Sequence, residues 1–331
     1  MQLNDYRLKA VLYGVFFLGI GFLTGWYFCG YRPEHTVRST AIRANSNEYK
    51  FINPILLAAD REESQELLPL SKSIASLISG AKEKSGSRIE SVSVYFRDLN
   101  SGTWTGVDQD KLYAPSSMLK VAMMIGYLKD AQTDPTIFNK KFTYESDTTG
   151  QHYPPKKTLT NGPHTVTELI SSMIVESDNA ALYALFSNNR EAFINVFKLL
   201  RLPPPESLET IDFMSPKIFS GIFRALYNGT YLNRPVSEAA LALMSATTFT
   251  QGIVAGVPSD IVVAHKFGEH TQNDPQGKPR FRELHDCGIV YYSTKPYFIC
   301  VMTKGGDFTE LESVISSVSR TTYDYVASAK I

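Results

Sequence analysis

Cysteine is scarce in this chain. Cys29, Cys287 and Cys300 are the only three among 331 residues. So few exclude a small secreted fold stapled by several disulfides. None stands in a CxxC pair or at zinc-ligand spacing, so no metal site and no cofactor are expected. Cys287 and Cys300 have apolar neighbours that read as buried strands, and both are expected as buried free thiols, with pairing as the alternative. Net charge is lacking too: 33 Lys and Arg balance 33 Asp and Glu. No basic excess points to nucleic acid, and no acidic block points to a solvating tail. Internal repeats and low-complexity tracts are absent. What remains is a chain 43% hydrophobic and 20% charged, which suits one large globular domain or two small ones.

A long apolar run is present. Residues 10–31 contain no charged side chain. A bilayer core needs about 20 such residues in a helix. A cleaved signal peptide usually has a shorter apolar stretch and a small-x-small site, and none precedes Arg32. Trp26, Tyr27 and Tyr31 crowd one end, as interfacial anchors do. Residues 1–31 are therefore expected to be an uncleaved, single-pass membrane anchor. Arg7 and Lys9 precede the run, while Arg32, Arg38 and Arg43 follow it, so basic residues do not orient it. Residues 32–66 read as a polar linker with one apolar patch at 51–59, and residues 67–331 as the folded domain.

Within that domain, Leu70, Ile74, Leu77 and Ile78 share a helical face. Residues 91–98 (SVSVYFRD) alternate as a strand, 99–102 turn, and 103–107 return. Helices are expected at 117–129, after the capping box Thr165-x-x-Glu168, at 179–186, 216–227 and 237–244. Strands follow at 261–269, 283–292 and 297–304, joined by hairpin loops. Leu311, Val314, Ile315, Val318 and Tyr325 then mark a closing amphipathic helix. This order predicts an α+β fold of three-layer α/β/α type. Both chain ends supply one antiparallel sheet, helices flank it, and a helical lobe is inserted.

Three short motifs carry chemistry. In Ala114-Pro115-Ser116-Ser117-Met118-Leu119-Lys120, Pro115 stands where a helix begins. Ser117 lies in the first turn, where amide N–H groups are free and the helix dipole favours negative charge. Lys120, three residues on, can reach the Ser117 hydroxyl. A serine needs a neighbour to take its proton, and a lysine whose pKa is lowered by burial can do so. The pattern alone means little, because Ser79-Gly80-Ala81-Lys82 also matches it at a helix exit. Ser177-Asp178-Asn179 follows an apolar helix and, taken alone, is an ordinary capping turn. His265-Lys266-Phe267-Gly268 places a lysine inside an apolar strand. An unpaired buried charge is costly, so Lys266 should have a partner or face a cleft. An edge strand with Lys266 in solvent is the alternative. Gly268 beside it permits close approach of a ligand to the backbone.

Taken in this order, 60 and then 89 residues apart, the three motifs resemble the serine β-lactamase and penicillin-binding protein superfamily, class A β-lactamases above all. The resemblance runs from about residue 67 to the C-terminus. It implies that Ser117 becomes acylated, that Lys120 takes its proton, and that Ser177 passes a proton to the leaving nitrogen. It implies that Asn179 holds Lys120 and the substrate amide, and that Lys266 sets the field around Ser177 and attracts a substrate carboxylate. The oxyanion hole would be the N–H groups of Ser117 and Glu269. Gly268 and Phe267 would contact substrate.

Two departures from that pattern matter. The Glu-x-x-Leu-Asn loop of class A enzymes, whose glutamate activates the deacylating water, is missing from residues 199–214 (LLRLPPPESLETIDFM). Glu206 or Glu209 is a candidate replacement, and solvated loop acids are the alternative. Lys-Phe-Gly also stands where Lys-Thr-Gly is commoner, so a hydroxyl that helps bind a substrate carboxylate is absent. Arg280 or Arg282 is a candidate to compensate, with surface arginines of a polar turn as the alternative.

The leading expectation is a β-lactamase-like serine hydrolase acting on β-lactams. A D-alanyl-D-alanine peptidase acting on peptidoglycan stem peptides is the first alternative. A membrane-tethered penicillin receptor that stays acylated is the second, although few residues precede the apolar run to carry a signal. Such chemistry belongs outside the cell membrane.

Overall fold

The computed structural model describes residues 42–43, 49–57, 63–202 and 212–328. Among the described residues no helix is long and apolar enough to cross a membrane. The run at 10–31 lies outside them.

Five strands form the central antiparallel sheet: β1 (Ile89–Asp98), β2 (Trp104–Val107), β5 (Val263–Asn273), β6 (Pro279–Val290) and β7 (Tyr297–Gly305), in the order β2-β1-β7-β6-β5. Two further short strands, β3 (Lys141–Tyr144) and β4 (Gly162–Thr165), pair apart from it. Both ends of the domain thus meet in one sheet, as the sequence pattern predicts.

Alternation along the strands separates two apolar layers. Val92, Val94 and Phe96 of β1 and Tyr297, Ile299 and Val301 of β7 pack with α1 (Leu68–Glu83) and α8 (Phe308–Ser328). Tyr95, Phe298, Cys300 and Met302 face the opposite layer. That layer is built by α2 (Lys120–Ala131), α3 (Val166–Val175), α4 (Asn179–Asn188), α5 (Arg190–Leu200), α6 (Pro216–Tyr227) and α7 (Arg234–Met244).

Several expectations need correction. The helix expected at 117–129 opens as a 3-10 turn, Ser116–Leu119, and becomes α-helical only at Lys120. Helix α5 and the β3–β4 pair were not expected. The first eight residues of α5 (REAFINVF) have their buried members Ala192, Phe193, Val196 and Phe197 at helical spacing.

The linker boundary also moves. Phe51 and Ile52 are buried in the core. The N–H groups of Lys50, Phe51 and Ile52 all donate to the Glu238 carboxylate at 2.7–2.9 Å. Phe51 meets Tyr291 edge-on, and the Tyr291 hydroxyl donates to its carbonyl. Burial of these apolar residues outweighs the polar character of their neighbours, so residues 49–54 belong to the domain.

Cys287 and Cys300 are not free thiols but a disulfide. They are direct cross-strand partners on β6 and β7, both fully buried. Their apolar setting was legible in the sequence. The register that places them opposite each other was not.

Candidate active site

Pro115 leads into the 3-10 turn, and Ser116 adopts a left-handed backbone (φ 50°) immediately before Ser117. Such a conformation costs a non-glycine residue about 1 kcal/mol or more and persists where surroundings impose it. It turns the chain so that Ser117 enters the first turn with its hydroxyl in a cleft. That cleft has a volume of about 600 Å³ and is lined by Ser117, Ser177, Asn179, Glu269, His270, Arg282 and the loop 149–153, among others.

Lys120 is fully buried behind the serine. Its ammonium donates to Ser117 Oγ at 2.9 Å, to the Ser177 carbonyl at 2.6 Å, to Asn179 Oδ1 at 2.6 Å and, more distantly, to Ser177 Oγ at 3.2 Å. Burial lowers its pKa from 10.5 to about 7, against the opposing pull of the Asp178 and Glu269 carboxylates. The partner set has a consequence when the amine is neutral. The Ser177 carbonyl and Asn179 Oδ1 only accept, so they take its two hydrogens. The lone pair is left for the Ser117 hydroxyl, which then donates to Nζ.

Ser177 is likewise held in a left-handed conformation (φ 58°) between α3 and α4. Asp178 caps α4 by accepting the N–H groups of Ala180 and Ala181. Its other oxygen accepts the hydroxyls of Tyr144 and Ser172, each at 2.8 Å. The motif is a capping turn that also brings two of its residues to Lys120. Asp178 builds the turn, while Ser177 and Asn179 face the lysine.

Lys266 is fully buried and donates to Ser177 Oγ at 2.8 Å and to the Phe267 carbonyl at 3.0 Å. Burial, and next the charge of Lys120, push its pKa well down. Ser177 Oγ thus accepts from Lys266, and from Lys120 only while that amine is protonated. Its own hydrogen is left to donate into the cleft.

A model of the beta-lactamase enzyme family matches residues 69–326. The chain belongs to that family. No curated protein sequence matches it. Solved structures similar in fold include a class A β-lactamase from Mycobacterium abscessus, 19% identical, with 78% of this chain and 100% of that chain covered and a TM-score of 0.63. The TLA-3 extended-spectrum β-lactamase is 19% identical, with coverage of 77% and 99% and a TM-score of 0.66. A PBP-A mutant in acyl-enzyme complex with penicillin G is 19% identical, with coverage of 82% and 100% and a TM-score of 0.65.

In this member of the beta-lactamase family, the structure brings together Ser117, Lys120, Ser177, Asn179, Lys266 and Glu269. The exposed Ser79-x-x-Lys82 lies apart on the last turn of α1. One expectation for the strand motif changes. Phe267 does not present its ring to the cleft. The ring is buried, stacked on Phe249 at 4.1 Å and edge-on to Tyr153 at 5.8 Å, because alternation along β5 turns it toward the α8 layer. Gly268 permits a close approach by the protein's own backbone. A Cβ there would lie 2.6 Å from the Pro115 carbonyl oxygen.

Of the two arginines, Arg282 lines the cleft, within β6 and over the Phe308 ring, whereas Arg280 is exposed and does not. Glu206 and Glu209 lie outside the described residues. Two features escaped the sequence reading. The Glu269 carboxylate accepts the N–H groups of His152 and Tyr153, at 3.0 and 2.9 Å, and so holds the rim loop 149–153 beside the cleft. His270 also lines the cleft. Its only sequence signal is period-two spacing from Lys266, which places both on one strand face.

Proposed function

We propose that the chain is a serine hydrolase that opens β-lactam amides through an acyl-enzyme at Ser117. The observation that carries this reading is the buried Lys120 amine 2.9 Å from Ser117 Oγ. Its pKa of about 7 leaves a large neutral fraction at physiological pH. Lys120 takes the hydroxyl proton as Ser117 Oγ attacks the lactam carbonyl. Ser177 donates its hydrogen to the leaving nitrogen and recovers it through the amine pair. Asn179 positions Lys120 and the substrate amide. The N–H groups of Ser117, at the start of its turn, and of Glu269 receive the developing oxyanion, each worth about 3 kcal/mol. Arg282 supplies a cation for the substrate carboxylate where Phe267 offers no hydroxyl. Similarity to a PBP-A mutant caught as a penicillin G acyl-enzyme supports the choice of substrate class.

The test uses purified full-length protein, a fluorescent penicillin and a chromogenic cephalosporin. Covalent label on Ser117 with many cephalosporin turnovers is the expected result. One stable label with cleavage of a D-Ala-D-Ala peptide would identify a peptidase instead, and a stable label alone a receptor. Absence of label, with Ser117→Ala behaving like wild type, overturns the reading.

The domain is further proposed to sit outside the cell membrane on an anchor at residues 10–31. The buried Cys287–Cys300 disulfide supports an oxidising compartment. Deletion of residues 1–31 should move the protein from the alkali-washed membrane fraction to the soluble one. An unchanged distribution argues against the anchor.

A further inference from the structure

Acylation leaves two histidines of the cleft unused: His152, whose ring is stacked on Phe308 at 4.3 Å in the rim loop, and His270 on the strand that meets the nucleophile. His270 lines the cleft with Ser117. On β5 it lies four residues after Lys266 and two after Gly268, so all three share the face turned to the nucleophile. Gly268 shows how close that face comes. A Cβ there would lie 2.6 Å from the Pro115 carbonyl oxygen and 3.2 Å from the Met118 nitrogen, on either side of Ser117. His270 is one two-residue step, about 7 Å, farther along the strand.

A polar row lies beside it. Glu283 is its direct cross-strand partner, and accepts the Ala114 N–H at 3.3 Å. The Glu283 carboxylate also pairs with Lys304 at 3.6 Å and approaches His285 Nε2 at 3.5 Å. Thr303 N–H donates to His285 Nδ1, so His285 Nε2 carries the hydrogen and donates to the Ala114 carbonyl at 3.0 Å. The row therefore grips the backbone just ahead of Ser117. The carboxylate of Asp212, near the end of the 199–214 interval, also acts on His270 through its charge.

We propose that His270 is the general base that releases the acyl group from Ser117, in place of the glutamate that the 199–214 interval lacks. The step rests on the acyl-enzyme reading above. A water proton passes to the unprotonated imidazole nitrogen as the water oxygen bonds to the acyl carbon. The tetrahedral adduct then expels Ser117 Oγ, which takes a proton back from the imidazolium. The carboxylic acid product leaves, and both side chains return to their starting states. Burial lowers the imidazole pKa; Glu283 and Asp212 act to raise it, His285 and Lys304 to lower it, and the balance is downward. The ring is thus largely neutral at pH 7 and ready to accept.

The experiment follows a fluorescent penicillin onto and off the full-length protein. In His270→Gln and His270→Ala, release should slow roughly a hundredfold, and at least tenfold more than labelling slows. Imidazole in the buffer should restore release to His270→Ala. Wild-type release should fall on the acid side of the imidazole pKa, and Asp212→Asn should move that limb to lower pH, since the carboxylate raises the pKa. Unchanged release in both His270 variants overturns the proposal. So does an equal loss of labelling and release, which would mark a structural role, or a selective loss of release in Glu206→Gln or Glu209→Gln alone. A wild-type protein that takes no label refutes the acyl-enzyme reading itself, an outcome distinct from normal label with normal release in the variants.

Discussion

Lys120 shows how one residue can be unfavourable for the fold and necessary for the site. Its amine is fully buried, and the pKa falls from 10.5 to about 7 because burial penalises the charged form. Between those two values an unfolded chain holds a proton on this lysine that the folded chain has released. Stability contributed through Lys120 therefore rises as pH increases from about 7 to 10.5, and the burial penalty is fully present below 7. Lys120→Met removes both the base and the titration. The variant should take no penicillin label. Its urea-unfolding free energy should rise less steeply than that of wild type from pH 7 to 9.5, by about 1.4 kcal/mol per pH unit, the rise that remains belonging to the likewise buried Lys266. Equal slopes would show that Lys120 is not the group depressed by burial. In the wild type, the labelling rate should climb with pH through about 7 as the amine is freed.

At the scale of elements, the site depends on how closely one strand meets one turn. Much of this was legible in the sequence. Pro115 before an apolar helix, the Thr165-x-x-Glu168 box and a lone lysine in the strand at 261–269 each have a local physical cause. The capping box forms as expected, with Thr165 and Glu168 exchanging hydrogen bonds. What escaped has a different origin. Period-two alternation tells that Phe267 and Lys266 face opposite ways, but not which layer waits on each side. The rim loop 149–153 owes its position to the Glu269 carboxylate, over a hundred residues away, and no local pattern announces such a contact. Gly268 tests the strand–turn contact directly. Gly268→Ala puts a Cβ 2.6 Å from the Pro115 carbonyl oxygen, a backbone atom that cannot yield without moving the turn. Labelling at Ser117 should slow tenfold or more, with a stability loss of about 1–3 kcal/mol. Gly80→Ala is the control, since nothing lies within 4 Å of its added Cβ. If both variants label like wild type, the turn is less constrained than its packing implies.

At the scale of the whole domain, the sheet joins strands from both ends of the sequence, and it carries the site at one edge. Stability of that sheet should therefore govern whether the acylation centre exists at all. The Cys287–Cys300 disulfide closes the β6–β7 pair with a sequence separation of 13 residues. A loop of that size restricts the unfolded chain by about 3 kcal/mol on the chain-entropy account. Both sulfurs are fully buried, so a reductant reaches them only when the sheet opens. Native protein should resist mild reductant and keep its penicillin labelling, with two of its three cysteines unreactive to alkylation. Partial denaturation in the same reductant should expose both thiols together. The Cys287→Ala/Cys300→Ala double variant should unfold at lower urea, by about 3 kcal/mol less whatever two alanines lose or regain in packing. Its labelling rate at Ser117 should nonetheless match wild type well below the transition, because neither sulfur touches the cleft. Unchanged stability would mean that the bridge does not constrain the unfolded chain. A loss of labelling far below the unfolding transition would mean that the bridge shapes the site and does more than hold the sheet.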